Sequence, residues 1–500
     1  MKNLTVGRGF EIRRIWAGAL LVLLSFGAPP ARGQEKEHLA LVGPTGDVRL
    51  AQSILVDGHA PDYLRELSDR FGGRVSGSEA YDNAAAWALN QFRQMGIHRV
   101  YIETFPIPCG WQRGTARGYI RSPLSRPLHI ESLGWSPPTP TGGIQGTVLV
   151  IEDLDPAKIA ANTSKIKSRV VLLSAEPGFG ESWTHFEKVQ QIVYRQLHDA
   201  GAAAILLPDV DPNQLLNADA ATWDGSIALL PVAQIGLEDA KLIERLADKS
   251  QVEVALDFQN RLLGPLQGKN VIAELPSDDE PNQWIMLGAH LDSWDYATGT
   301  QDNGSGAATI LEVARVFRSL SRVPHRSLRF VLWGGEEQGM LGSTAWVRSH
   351  RQELPTVVAY LNTDNGGGHP LGWKLEGRKD LQDAMDHISK SLSQFSGDGL
   401  SLETTFDSDH APFVLTGVPT FDLWIDETAY FRIHHKSGDT FDKINPLNLN
   451  AGAAIVALTA YALAEHPEPI GKHLDLPSVT TIIQQANIDL DFLRFLGWNF

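Results

Sequence analysis

Only one cysteine, Cys109, occurs in 500 residues. No intrachain disulfide can form, so the chain is not a small disulfide-framed module and must rely on a packed core. Basic residues are also in deficit: 43 Lys and Arg stand against 59 Asp and Glu, a formal net charge of −16. With no basic cluster interleaved with aromatics, that balance argues against a nucleic-acid partner. Long apolar runs are scarce. The run at residues 15–28 is about 14 residues, short of the ~20 that span a bilayer, and no other stretch reads as long and apolar enough to be a membrane helix. No internal repeat or low-complexity tract is present.

What is there divides the chain into parts. Arg8, Arg13 and Arg14 precede the amino-terminal apolar run, and Ala31-Arg32-Gly33 follows it. This is the layout of a secretory signal peptide over residues 1–33, cleaved before Gln34, and it predicts a secreted or periplasmic protein free of the membrane. A retained anchor is the alternative. The length suggests two domains. Residues 50–141 begin the first, with helices expected at 60–71 and 79–95 and the turn 74–78 read as a simple loop. The Pro/Gly/Thr-rich stretch SPPTPTGGIQG marks a boundary. Residues 142–258 then form an insert, with short strands at 147–151, 169–173, 203–207 and 231–235 and a helix at 185–200. It either shapes substrate access or is a structural appendage. The first domain resumes over 259–465. The extension 466–500 carries helix-spaced Ile482, Ile483, Ile488, Leu490, Leu493 and Leu496, expected to dock on the same chain or on a second subunit of a homodimer.

The chain is organised around residues 284–364. Three apolar, strand-like runs each end abruptly in acidic or imidazole side chains. The first delivers His290 and Asp292, with Asp302 in the loop beyond; the second delivers Glu336 and Glu337; the third delivers Asp364. Helix-like segments at 307–320 and 343–351 separate them. Strands alternating with helices build a parallel sheet, whose ligand sites lie at the carboxyl ends of strands. A fourth run, 419–424, precedes His434 and His435. Two imidazoles and three carboxylates suit two zinc ions with one carboxylate bridging. Burying so many carboxylates without cations would be strongly unfavourable. Adjacent glutamates can divide the labour, one on metal and one holding and deprotonating a water, as peptide hydrolysis requires.

The set LGAHLDSWD, DNGSG, WGGEEQGMLGS, LNTD, SDHAPF and HHKSGDT, in this order, resembles the aminopeptidase Y and carboxypeptidase Q family of di-zinc exopeptidases. The likeness spans roughly residues 50–465 and includes GRVSGS at 73–78, WQRG at 111–114 and a protease-associated-like insert. It implies an α/β fold: a zinc-exopeptidase fold with a mixed, largely parallel central sheet flanked by helices, plus that inserted α/β domain. It implies two Zn2+ per chain and small peptide substrates. His290 and Asp364 would be metal ligands, Asp302 the bridge, and Glu337 and His435 the rest of the set. Glu336 would be the general base, and Asp292 would orient His290. The order within Glu336-Glu337, and His435 over His434 through the His-x-x-x-Asp spacing to Asp439, come from the resemblance. If that segment is extended, adjacent side chains point apart and only one histidine can be a ligand. A peptide bond of unusual, cis geometry after Asp302 is a further implication. Asp409-His410 either contacts a substrate terminus or is a satisfied structural pair. A single-zinc cyclase and a non-catalytic receptor on the same scaffold are the rivals, and the full ligand set argues against both. Amino- and carboxypeptidase action stay open, since both ends of a dipeptide lie near the metals.

Overall fold

The computed structural model describes residues 45–174 and 183–499. The signal segment expected at 1–33 lies outside them. The sheet that carries the site has eight strands, in the spatial order Arg99–Gln112, Arg261–Leu275, Arg326–Trp333, Glu280–His290, Val357–Asn362, Thr420–Ile425, Pro370–Lys374, Gly399–Ser401. The four central strands run parallel, as the alternation of strands and helices predicts. Antiparallel strands flank them: Arg261–Leu275 on one side and Pro370–Lys374 on the other. Every residue of Arg326–Trp333 and of Val357–Asn362 is buried, because helices cover both faces of a parallel sheet.

Alternation along each strand divides the core in two. Leu328, Phe330 and Leu332 face a layer that includes helices Glu79–Gln94, Ser305–Arg318 and Pro446–Glu465. Val331 and Trp333 face the opposite layer, where Leu341–Ser349 and Ala411–Leu415 pack. Helix Pro446–Glu465 corrects one expectation. It is long and apolar enough to cross a bilayer by length and composition, yet most of its residues are buried against the sheet. It is apolar all round because it is enclosed all round. The carboxyl-terminal extension docks on its own chain: Val479, Ile483, Ile488, Leu493 and Trp498 join the second layer.

The insert has its own eight-stranded sheet, ordered Arg126–Leu128, Ala116–Ser122, Glu253–Phe258, Ile144–Ile151, Val170–Leu173, Ala204–Pro208, Val232–Ile235, Ile130–Ser132. It therefore begins at Ala116, upstream of the expected start at residue 142. Two short strands before the Pro/Gly-rich stretch pair with strands after it, Ala116–Ser122 with Glu253–Phe258 and Ile130–Ser132 with Val232–Ile235. The two sheets lie within a single compact unit, Pro44–Phe500.

Candidate metal centre

Register places the site. In the parallel pairing His290 lies opposite Trp333, and Gly288 opposite Asn362. Three strands thus end level, and the residues just past their ends, including Glu336, Glu337 and Asp364, meet at one edge of the sheet. His290 Nε2 is 3.1 Å from Asp364 Oδ1 and 3.3 Å from Asp302 Oδ1. The other oxygen of Asp302 faces elsewhere: Oδ2 is 3.2 Å from His435 Nε2, which is itself 3.2 Å from Glu337 Oε2. Two nests of ligand atoms, His290–Asp302–Asp364 and Asp302–His434–His435, share Asp302. The structure thus brings together all five expected ligands, with Asp302 between them.

The electrostatics ask for cations. Burial pushes the Glu337 carboxyl up to about 8, and nearby Asp302 adds to that. Burial likewise raises Asp364, and raises Glu336 well above the usual carboxylate range. Burial opposes charge on His290 and His435, yet the surrounding carboxylates raise both imidazoles well above their ordinary value. Burial would also raise Asp302, but its bonds to His290 and His435 hold it well below. Glu337 Oε1 is buried with no hydrogen-bond partner. Carboxylates held this close take up protons unless positive charge is supplied, and imidazole nitrogens with carboxylate oxygens are what divalent zinc prefers. The residues fit two zinc ions.

His290 is oriented for this. Its Nδ1 donates to the Asp292 carbonyl oxygen at 3.0 Å, and the Asp292 carboxylate lies 3.6 Å away. The proton on Nδ1 leaves the Nε2 lone pair facing the nest. So Asp292 holds the ring more closely through its backbone than through its side chain, which is fully buried.

The two adjacent histidines depart from the extended geometry on which their alternation rested. His435 has φ +58°, and the imidazoles of His434 and His435 stack with centroids 3.8 Å apart. Both face Asp302, with His434 Nε2 3.4 Å from Oδ2. A left-handed residue turns the chain, so neighbouring side chains share a side. The Asp409-His410 pair lies inside the core. Both residues are fully buried; Ser343 donates to Asp409, and Thr405 and Phe406 bond His410. Neither lines the catalytic cavity.

Two supporting residues carry more than their sequence context suggests. Arg74, in the turn read as a simple loop, is fully buried. Its guanidinium donates to the carbonyl oxygens of Leu291 (2.8 Å), Thr298 (2.7 Å) and Gly299 (2.8 Å), which flank the metal loop. Burial lowers its pKa to about 10, while Asp439, Asp292, Asp302 and Glu337 oppose that fall. Asp439 accepts the backbone N–H of Gln301 at 2.7 Å and of Asp302 at 3.2 Å. The His-x-x-x-Asp spacing pointed to Asp439, but nothing local marked Arg74. The Asp302–Asn303 peptide is cis, and Asn303 bonds Thr363 and Gly306.

Beside the nests lies a cavity of about 190 Å3, lined also by Trp223, Met340, Phe431 and Asp407. Trp223 comes from the insert, so the insert forms part of the catalytic wall.

Comparison with known proteins agrees with this geometry. Residues 270–460 match the family model described as peptidase family M28. The chain is 28% identical over 414 residues to a carboxypeptidase Q of Xenopus laevis, covering 80% of this chain and 84% of that one. Among solved structures, a peptidase M28 precursor from Shewanella amazonensis superposes with a TM-score of 0.74 at 26% identity, over 86% of this chain and 98% of that one. A zinc aminopeptidase from Bacillus subtilis shares the fold at a TM-score of 0.64 and 20% identity, over 83% of this chain and 97% of that one.

Proposed function

The chain carries a peptidase family M28 domain at residues 270–460, and from that premise we propose that it is a zinc-dependent metallo-exopeptidase that hydrolyses dipeptides and other short peptides after export. The observation that carries this reading is the division of Asp302 between two ligand nests, one with His290 and Asp364 and the other with His435 and Glu337. Two zinc ions, when bound, lower the pKa of water and polarise a scissile carbonyl.

The chain's own residues do the rest. His290 and Asp364 would hold one ion, His435 and Glu337 the other, and Asp302 would serve both. His435 is chosen over His434 because it also reaches Glu337, at 3.2 Å. Glu336 lines the cavity, whereas its neighbour Glu337 is the one that meets His435, at 3.2 Å. Burial raises the Glu336 carboxyl well above the usual carboxylate range. It serves as general base toward the attacking water and returns the proton to the leaving amine. Asp292 fixes the His290 tautomer. Export rests on the three-part layout of residues 1–33.

Carboxypeptidase Q relatives that cover most of both chains support a carboxypeptidase or dipeptidase direction. Removal of the amino-terminal residue is the second reading. One observation favours it: among the described residues lining the cavity there is no lysine or arginine for a carboxylate, whereas Asp407 stands at the rim. The test is zinc content with turnover of free, N-blocked and C-blocked dipeptides. Activity that survives complete metal removal would sink the metallopeptidase reading. Loss of activity on blocking one terminus identifies the end that is recognised.

A further inference from the structure

The cavity is lined by carboxylates and imidazoles and also by Trp223, Met340 and Phe431, the last with its ring 6.0 Å from that of His434. Met340 and Phe431 come from the catalytic half of the chain and Trp223 from the insert. The indole is fixed from several sides. Its Nε1 donates to Glu187 Oε2 at 2.5 Å, and Glu187 is a buried residue of helix Trp183–Asp199. The Trp223 carbonyl lies on Gly339, where a Cβ would come within 2.3 Å of the oxygen. Insert and catalytic turn therefore meet backbone to backbone, two residues past Glu337. Just upstream, Ala221 donates to Gly134 O at 2.8 Å and accepts from Gln191 at 3.2 Å.

A ring held this firmly, only partly buried and bordering the reacting groups, is a preorganised contact rather than core filling. The group it meets is apolar. An acidic side chain would lose its water against Trp223, Met340 and Phe431 and would meet the Asp407 carboxylate in the same lining. The cavity, about 190 Å3, falls below the roughly 300–1,000 Å3 of drug-sized sites, so it suits one side chain and its scissile amide.

We propose that Trp223 is a specificity-determining residue supplied by the insert: with Met340 and Phe431 it binds a large apolar side chain, leucine- or phenylalanine-like, beside the scissile bond. Glu187 acts as its positioning residue. The proposal rests on the peptidase reading above.

The experiment uses the zinc-loaded full chain and a dipeptide series with Leu, Phe, Gly or Glu flanking the bond. The wild type favours Leu and Phe. In Trp223→Ala the ratio of kcat/KM for Leu over Gly falls about 10–200-fold, the range a hydrophobic pocket contact commands, and the loss lies mainly in KM. Trp223→Phe keeps most of the preference. Glu187→Ala repeats the alanine pattern, and Glu187→Gln, which still accepts from the indole, restores the ratio. Should Trp223→Ala fail to fold, Trp223→Phe and the Glu187 pair make the same comparison. An unchanged ratio, or equal loss on every dipeptide, overturns the proposal. So does a wild type that hydrolyses dipeptides with no apolar preference. Absence of any hydrolysis sinks the peptidase reading itself, and this proposal with it.

Discussion

Arg74 Nη2 donates to the carbonyl oxygen of Gly299 at 2.8 Å, three residues before Asp302. A side chain from the first turn of the domain thereby holds the loop that carries the shared ligand. Replacing it with methionine leaves the Gly72, Leu291 and Thr298 carbonyls without their donor, while that of Gly299 keeps the N–H of Gly304. The expected loss is about 3–5 kcal/mol of stability, since buried polar groups left unpaired cost about 1–3 kcal/mol each. Denaturant unfolding measures it, and metal analysis should show reduced occupancy. Wild-type stability with full zinc in Arg74→Met would remove Arg74 from this role.

Glu336→Gln keeps the shape and hydrogen bonding of the side chain but cannot accept a proton. Turnover should fall by ~10²–10⁴-fold, the usual general-base contribution, at unchanged zinc content. Near-normal turnover would eliminate Glu336 as the base.

Asp302→Ala removes the carboxylate common to both nests. Occupancy should drop at both sites together, and stability with it, because metal binding that completes a site is also folding free energy. Two full zinc equivalents in the variant would contradict the bridging assignment.

The stacked histidines make separable predictions. His435→Ala loses contacts to both Asp302 and Glu337, so about one zinc equivalent and nearly all activity should go. His434→Ala keeps both metals and shifts mainly KM. The opposite pattern, measured side by side, would show that His434 is the ligand.

Glu187 gives a pH signature in the insert. Burial raises its carboxyl from 4.5 to about 8. The folded chain keeps this proton up to about pH 8, whereas the unfolded chain releases it near 4.5. Its contribution therefore favours folding at low pH and is lost as pH rises through that window, by on the order of a few kcal/mol. Glu187→Gln should lose less stability than the wild type between pH 5 and 8 in denaturant titrations. Parallel curves would refute the shift.

The legible parts of this protein are those where chain pattern and fold share a period. Apolar runs ending at His290, Glu336 and Asp364 declared parallel strands and a site at their carboxyl ends, and the register agrees. The insert's upstream edge was obscured because Ala116–Ser122 pairs with Glu253–Phe258, across more than a hundred intervening residues. The shared orientation of His434 and His435 depends on one left-handed residue that is not glycine, and residue type does not announce it. Arg74 was hidden because its partners are backbone carbonyls, which leave no trace in composition.

Helix Pro446–Glu465 is rich in alanine, with leucine, isoleucine and valine interspersed and asparagines in its first turns. Alanine lets a helix approach its neighbours closely, and it partitions into lipid far less readily than leucine. A helix with the length and apolar composition of a membrane span is thus held by protein instead, and its alanines set how near the neighbouring elements come.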